Sequence, residues 1–146
     1  MNTSLKTHFR MEFFLTIKSL IQQYNYFSLI YLCDAFFTIP LHADSKKFVV
    51  FEFENIRICY NVLPFGLTSS PRIFSTMLKP AINCIRSEGI KISSYLNDIF
   101  LCYSSISQLH FQINFTLNIL FYLGFIPNYK KKSQLIPNTE ITHLGY

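Results

Sequence analysis

The chain has 146 residues, a net charge of +5 at neutral pH, 50% hydrophobic residues and 17% aromatic ones. That length and apolar content suit one domain with its own core and exclude a disordered chain. The longest apolar stretch, Phe115 to Ile126, is broken by Thr116, Asn118 and Gly124 and is too short to span a bilayer. The N-terminus lacks the layout of a secretion signal, so an intracellular protein without membrane spans is expected.

The first expected element is an amphipathic helix over 7–24, with Phe9, Phe13, Ile17, Leu20 and Ile21 at helical spacing. Phe27 to Cys33 is a continuous apolar run rich in strand formers and reads as a buried strand ending at Asp34. Pro40 and the polar stretch His42 to Lys47 read as a loop. Phe48 to Glu54 alternates at period two, Asn55 marks a turn, and Ile56 to Val62 returns as the second arm of a hairpin. Ser69-Ser70-Pro71 reads as a helix start, with a serine cap and proline in the first turn. That helix runs to Gly89 and should kink at Pro80.

Ile90 to Tyr103 reads as a second hairpin with Asn97-Asp98 at its tip. A helix over Gln108 to Leu123 follows, then short strands at Phe125 to Tyr129 and Ile141 to Tyr146. No repeat or linker interrupts the order, which predicts one α+β domain, an antiparallel sheet with helices packed on one face. Cys33, Cys59, Cys84 and Cys102 are scattered with no C-x-x-C pair, so burial as small hydrophobes is expected rather than a zinc site. His8, His42, His110 and His143 are equally scattered. The positive excess suits an anionic partner such as nucleic acid, and suits an ordinary basic surface equally well.

Three segments carry more specific information: Asp34-Ala35-Phe36-Phe37-Thr38-Ile39-Pro40, then Leu63-Pro64-Phe65-Gly66-Leu67-Thr68-Ser69-Ser70-Pro71, then Tyr95-Leu96-Asn97-Asp98. In this order the chain resembles the reverse transcriptases of retrotransposons. The likeness runs from Phe9-Arg10-Met11-Glu12 through Leu78-Lys79-Pro80 to Leu144-Gly145-Tyr146. It implies a reverse-transcriptase palm with part of the fingers over 1–146, the thumb and RNase H lying outside. It also implies RNA-directed DNA polymerisation on an RNA or DNA template-primer with dNTP. Two Mg²⁺ ions would be held by three carboxylates, since two-metal transfer needs hard oxygen ligands and negative charge.

The sequence departs from that pattern twice. The family's first aspartate lies three residues before the Asp-Ala-aromatic unit, where this chain has Tyr31. The family's Tyr-x-Asp-Asp hairpin has its first acid where this chain has Asn97, so of the three metal-binding positions only Asp98 keeps its acid. A neutral phenol and a carboxamide supply no charge to a site meant for four positive ones. The expectation is a polymerase fold without polymerase activity.

Other positions match. The likeness makes Asp34 part of the nucleotide pocket, Ala35 and Phe36 its floor, and Phe36 the aromatic gate against a ribose 2′-OH. Phe65 and Gly66 would touch nucleotide and template. Without the likeness, Phe36 and Phe37 read as core packing, and Phe65-Gly66 as a turn. In Lys130-Lys131-Lys132 the family has one lysine near the triphosphate; Lys131 and Lys132 are the candidates, and a solvated charge run is the alternative. Lys46, Lys47, Arg57, Arg72, Lys79 and Lys91 would add phosphate contacts. Against the inactive polymerase stand three other readings: a retained nucleic-acid-binding module, an enzyme with altered ligands, and a chain that does not fold stably alone.

Overall fold

The computed structural model describes residues 13–24, 26–129 and 134–139. The start of the expected first helix, the lysine run and the strand expected at Ile141 to Tyr146 lie outside the described residues. Among the described residues the elements run α1 (Phe13–Gln23), β1 (Tyr26–Cys33), a 3-10 turn (Ala35–Thr38), α2 (Ala43–Lys46), β2 (Val50–Phe53) and β3 (Ile56–Cys59). Then come α3 (Ser70–Ser87), β4 (Ile92–Tyr95), β5 (Asp98–Tyr103), α4 (Ile106–Tyr122), β6 (Ile126–Pro127) and β7 (Gln134–Asn138). The class is α+β, as expected.

The main sheet has the order β4-β5-β1-β6, with β7 also paired to β1, and every pair is antiparallel. One face of β1 presents Ile30 and Leu32, which join Ile92, Ile99 and Leu101 against Phe74, Leu78, Ile82 and Ile85 of α3 and Leu109, Ile113 and Leu120 of α4. Each such side chain stabilises the fold by about 1.5–3 kcal/mol relative to exposure. The other face presents Phe27, Leu29, Phe100 and Cys102, with Ile17 and Leu20 of α1 packed on them. So α3 and α4 share one face as expected, and α1 adds a partial layer on the second. Burial from both sides explains why β1 reads as a continuous apolar run rather than an alternating one.

Several local expectations need correction. The stretch from His42 is not all loop: α2 forms there, its first turn closed by Asp44 N–H donating to His42 Nδ1 at 3.3 Å. Ser69 precedes α3 without a side-chain cap bond. Instead buried Ser70 donates its hydroxyl to Pro64 O at 2.7 Å, tying the helix start back to the preceding turn. Helix α3 runs from Ser70 to Ser87 with Pro80 inside it, ending two residues before the expected stop at Gly89. Only Cys102 is buried; Cys59 and Cys84 are exposed and Cys33 is intermediate. Cys59 sits on a hairpin whose residues are all exposed. Strand β7 was not expected; among the described residues it pairs with β1 alone, an edge position at which Pro137 is tolerated.

That hairpin, β2 with β3, is joined by Glu54 (φ 49°) and Asn55 (φ 61°), both left-handed as a type I′ turn requires. Both arms are shorter than expected, and all their residues are exposed. Register places Val50, Glu52, Arg57 and Cys59 on one face and Phe51, Phe53, Ile56 and Ile58 on the other. The alternation is therefore real, but among the described residues no core cluster includes its apolar side.

Candidate active site

The site grows from the ends of β1 and of the β4-β5 hairpin. Tyr31 stands opposite Asp98, which stands opposite Tyr95. These three share the sheet face that carries Phe27 and Phe100, away from α3 and α4. The turn between the strands is Leu96-Asn97, so Asp98 is already the first residue of β5 rather than the hairpin tip. Leu96 sits at φ 53°, an uncommon place for a branched side chain.

Tyr31 fills space and brings no charge. Burial, and then the nearby Asp98 carboxylate, push its phenol pKa above the ordinary tyrosine value, so it stays neutral across the physiological range. Asn97 is turned to the backbone: Leu32 N–H donates to Asn97 O at 2.8 Å, and Asn97 Nδ2 donates to Leu32 O at 3.4 Å. An ionised aspartate at that position has no hydrogen to give. Asp98 is nearly buried, at 9% exposure. Among the described residues no three His, Cys, Asp or Glu side chains come together to hold a metal. A single carboxylate beside a phenol and a carboxamide does not fit two divalent cations.

Just past β1 the backbone enters the left-handed region at Asp34 (φ 46°, ψ 36°) and starts the 3-10 turn, with Phe37 N–H donating to Asp34 O at 2.9 Å. Cys33 Sγ donates to Asp34 Oδ2 at 3.5 Å, and acceptance of that hydrogen bond by the carboxylate raises the thiol pKa. The reversal turns Ala35 and Phe36 inward, both buried in the core.

A cavity of about 210 Å³ opens here, lined by Asp34, Ala35, Phe36, Phe65, Pro71, Leu96 and Asn97. Four residues expected at a nucleotide pocket thus meet in one place, although they come from separate segments of the chain. Phe36, 7% exposed, is stacked by the Phe65 ring at 4.8 Å and meets Phe74 at 5.0 Å. Phe37 meets Phe65 edge-on at 5.0 Å. Phe36 therefore belongs to the core cluster and also lines the cavity. Gly66, at φ 89°, is not in the lining; it lets the chain turn from Phe65 into α3, where the Ser70–Pro64 bond fixes the approach. Leu96 and Pro71 are lining residues that the sequence reading did not single out. The signal for Leu96 was its place inside Tyr-Leu-Asn-Asp. Lys131 and Lys132 lie outside the described residues.

An antiparallel sheet with an acid-bearing hairpin beside its first strand, helices behind and an aromatic-floored cavity in front defines an α+β fold with one candidate site at its strand ends. The chain belongs to the family described as reverse transcriptase (RNA-dependent DNA polymerase), which it matches over residues 3–146. It is 34% identical over 89 residues to the Gag-Pol polyprotein of Walleye dermal sarcoma virus, a match covering 58% of this chain and 5% of that polyprotein. It is also similar to a foamy viral protease–reverse transcriptase solved in complex with double-stranded DNA. That match has a TM-score of 0.74 and 29% identity, and covers 84% of this chain and 20% of that one. The chain thus spans a small part of both relatives. Members of this family use divalent metal. Among the described residues no helix is long and apolar enough to cross a membrane.

Proposed function

We propose that residues 1–146 form one partial reverse-transcriptase domain, palm with part of the fingers, of a retroelement, and that this copy does not transfer nucleotides. The observation that carries the reading is Tyr31 standing in register against Asp98, with the third metal position held by Asn97. Two-metal transfer needs one cation to activate the primer hydroxyl and one to hold the triphosphate. Asp98 alone leaves both cations short of charge and of oxygen ligands. Asp34 does not replace Tyr31, because it lies beyond the strand end in a separate backbone turn.

Other parts of the pocket keep their shape. Ala35 and Phe36 would still floor a bound dNTP, Phe36 would meet its sugar, and Phe65 would cover it. RNA or DNA template-primer would be the partner, bound by charge rather than processed. A second role is a nucleic-acid-binding module retained after catalysis was lost, which a net charge of +5 would serve.

Primer extension on an RNA template with Mg²⁺ or Mn²⁺ tests the reading. The native chain is expected to add no nucleotide. The double variant Tyr31→Asp with Asn97→Asp restores the acids and serves as the comparison. Extension by the native chain would overturn the proposal. Extension by the variant alone would assign the loss to those two positions.

A further inference from the structure

The face of the β2-β3 hairpin opposite its apolar side carries a second concavity, remote in sequence from the acids. Lys46 in α2, Lys47 just after it and Arg57 of β3 line a cleft of about 370 Å³ with Val50 and Cys59. Two separate elements bring these three cations together. None of them makes an ion pair among the described residues. Glu52 is the cross-strand neighbour of Arg57 and makes no ion pair with it, so the cleft keeps a positive excess. Lys47 Nζ lies 5.1 Å over the Phe48 ring, which holds one ammonium beside the opening.

Like charges held this close repel one another unless an anion lies between them. A guanidinium offers two parallel donors and an ammonium a point charge, the pairing that suits phosphate oxygens. The cleft is open and shared between two elements, a shape that suits successive phosphates of a strand better than one enclosed ion. It is also joined to the aromatic cavity by both strands of chain that lead there. Those strands are tied together by Leu41 N–H to Asn61 O at 2.9 Å and Leu63 N–H to Ile39 O at 2.8 Å.

We propose that the cleft formed by Lys46, Lys47 and Arg57 binds the phosphodiester backbone of a nucleic-acid strand. This deepens the nucleic-acid reading above and rests on it. The site is independent of the metal positions, so it operates whether or not the chain polymerises.

Cys59 lines the cleft and is exposed, while Cys84 is exposed on α3. The thiols therefore form a built-in footprint. The full chain is mixed with a fluorescein-labelled single-stranded oligonucleotide at low salt and binding is followed by anisotropy. In the same samples N-ethylmaleimide alkylation is read site by site by mass spectrometry. The oligonucleotide is expected to slow modification of Cys59 severalfold and leave Cys84 unchanged. The variant Lys46→Gln, Lys47→Gln, Arg57→Gln is expected to bind more weakly, with a salt slope lower by about 2, the sum for three contacts to a single strand.

Oligonucleotide binding with unchanged Cys59 reactivity would overturn the cleft and leave the nucleic-acid reading standing. Protection of Cys59 by inorganic triphosphate as strong as that by the oligonucleotide, at equal phosphate, would overturn the strand assignment in favour of a simple anion site. No oligonucleotide binding at the lowest salt would overturn both readings together. The footprint uses the native chain, so its outcome does not depend on how the variant folds.

Discussion

At the scale of single residues, two buried groups outside the candidate site make predictions of opposite sign. Thr116 is fully buried in α4 and its hydroxyl has no hydrogen-bond partner among the described residues. A buried polar group left unpaired costs about 1–3 kcal/mol. Thr116→Val keeps the shape and removes the hydroxyl, so it is expected to raise stability by about 1 kcal/mol in urea unfolding. Cys102 is also fully buried, and burial pushes its thiol from the ordinary 9.0 up to about 12, with Lys91 pulling weakly the other way. The neutral thiol is what the core holds. Its contribution is complete below pH 9 and is lost as pH rises from 9 to 12, reaching about 4 kcal/mol at the upper end. Cys102→Ala lowers stability by a pH-independent cavity cost. The stability difference between native and variant is therefore expected to shrink through that window, as measured by denaturation at pH 8, 10 and 11. A constant difference would mean that the thiol is not held neutral.

At the scale of elements, the β2-β3 hairpin and the Leu63–Pro71 segment contrast. The hairpin was legible because period-two alternation and a turn residue are local signals. Its exposure was not, because burial depends on what packs against a strand and no local pattern states that. Phe53 is 59% exposed and Ile56 62%, on one unpartnered face. Such a face is prone to self-association. Replacing Phe51 and Ile58 by Thr keeps strand propensity and is expected to reduce light scattering on concentration without lowering the melting temperature. A fall in melting temperature would show that the face is packed. The Leu63–Pro71 segment was legible as a helix start, but its working contact was not. Ser70 serves as a tether to Pro64, a contact six residues back that no capping rule supplies. Ser70→Ala is expected to cost about 1–2 kcal/mol, since it leaves a buried carbonyl without its partner. It should also loosen the Phe65–Phe36 stack, which near-ultraviolet circular dichroism would register.

At the scale of the whole molecule, the gathering of Asp34, Ala35, Phe36 and Phe65 around one cavity was readable only through family likeness. Composition and periodicity place those residues in separate segments and say nothing of their meeting. The second layer made by α1 was hidden for a similar reason, since an amphipathic helix does not declare which face of a sheet it covers. The departure at Tyr31 and Asn97 is the reverse case. Two letters of sequence already carried it, and the geometry added that Asn97 is bonded to the β1 backbone. Restoring an acid there is expected to destabilise the fold by about 1 kcal/mol, because a donor becomes an acceptor facing a carbonyl. Thermal melting of Asn97→Asp checks this, and an unchanged melting point would mean the bond contributes nothing.

The central place of β1 has a consequence for how the chain comes into being. Its partners β5, β6 and β7 all follow it in sequence, and α3 intervenes before the first of them. During translation at roughly 5–20 residues per second, the strand waits several seconds before β5 exists to pair with it. Over that interval an apolar segment with open edges is held near the ribosome, in the reach of chaperones. Production of this domain is therefore expected to depend on elongation speed between β1 and β5, a quantity written in codons rather than in contacts.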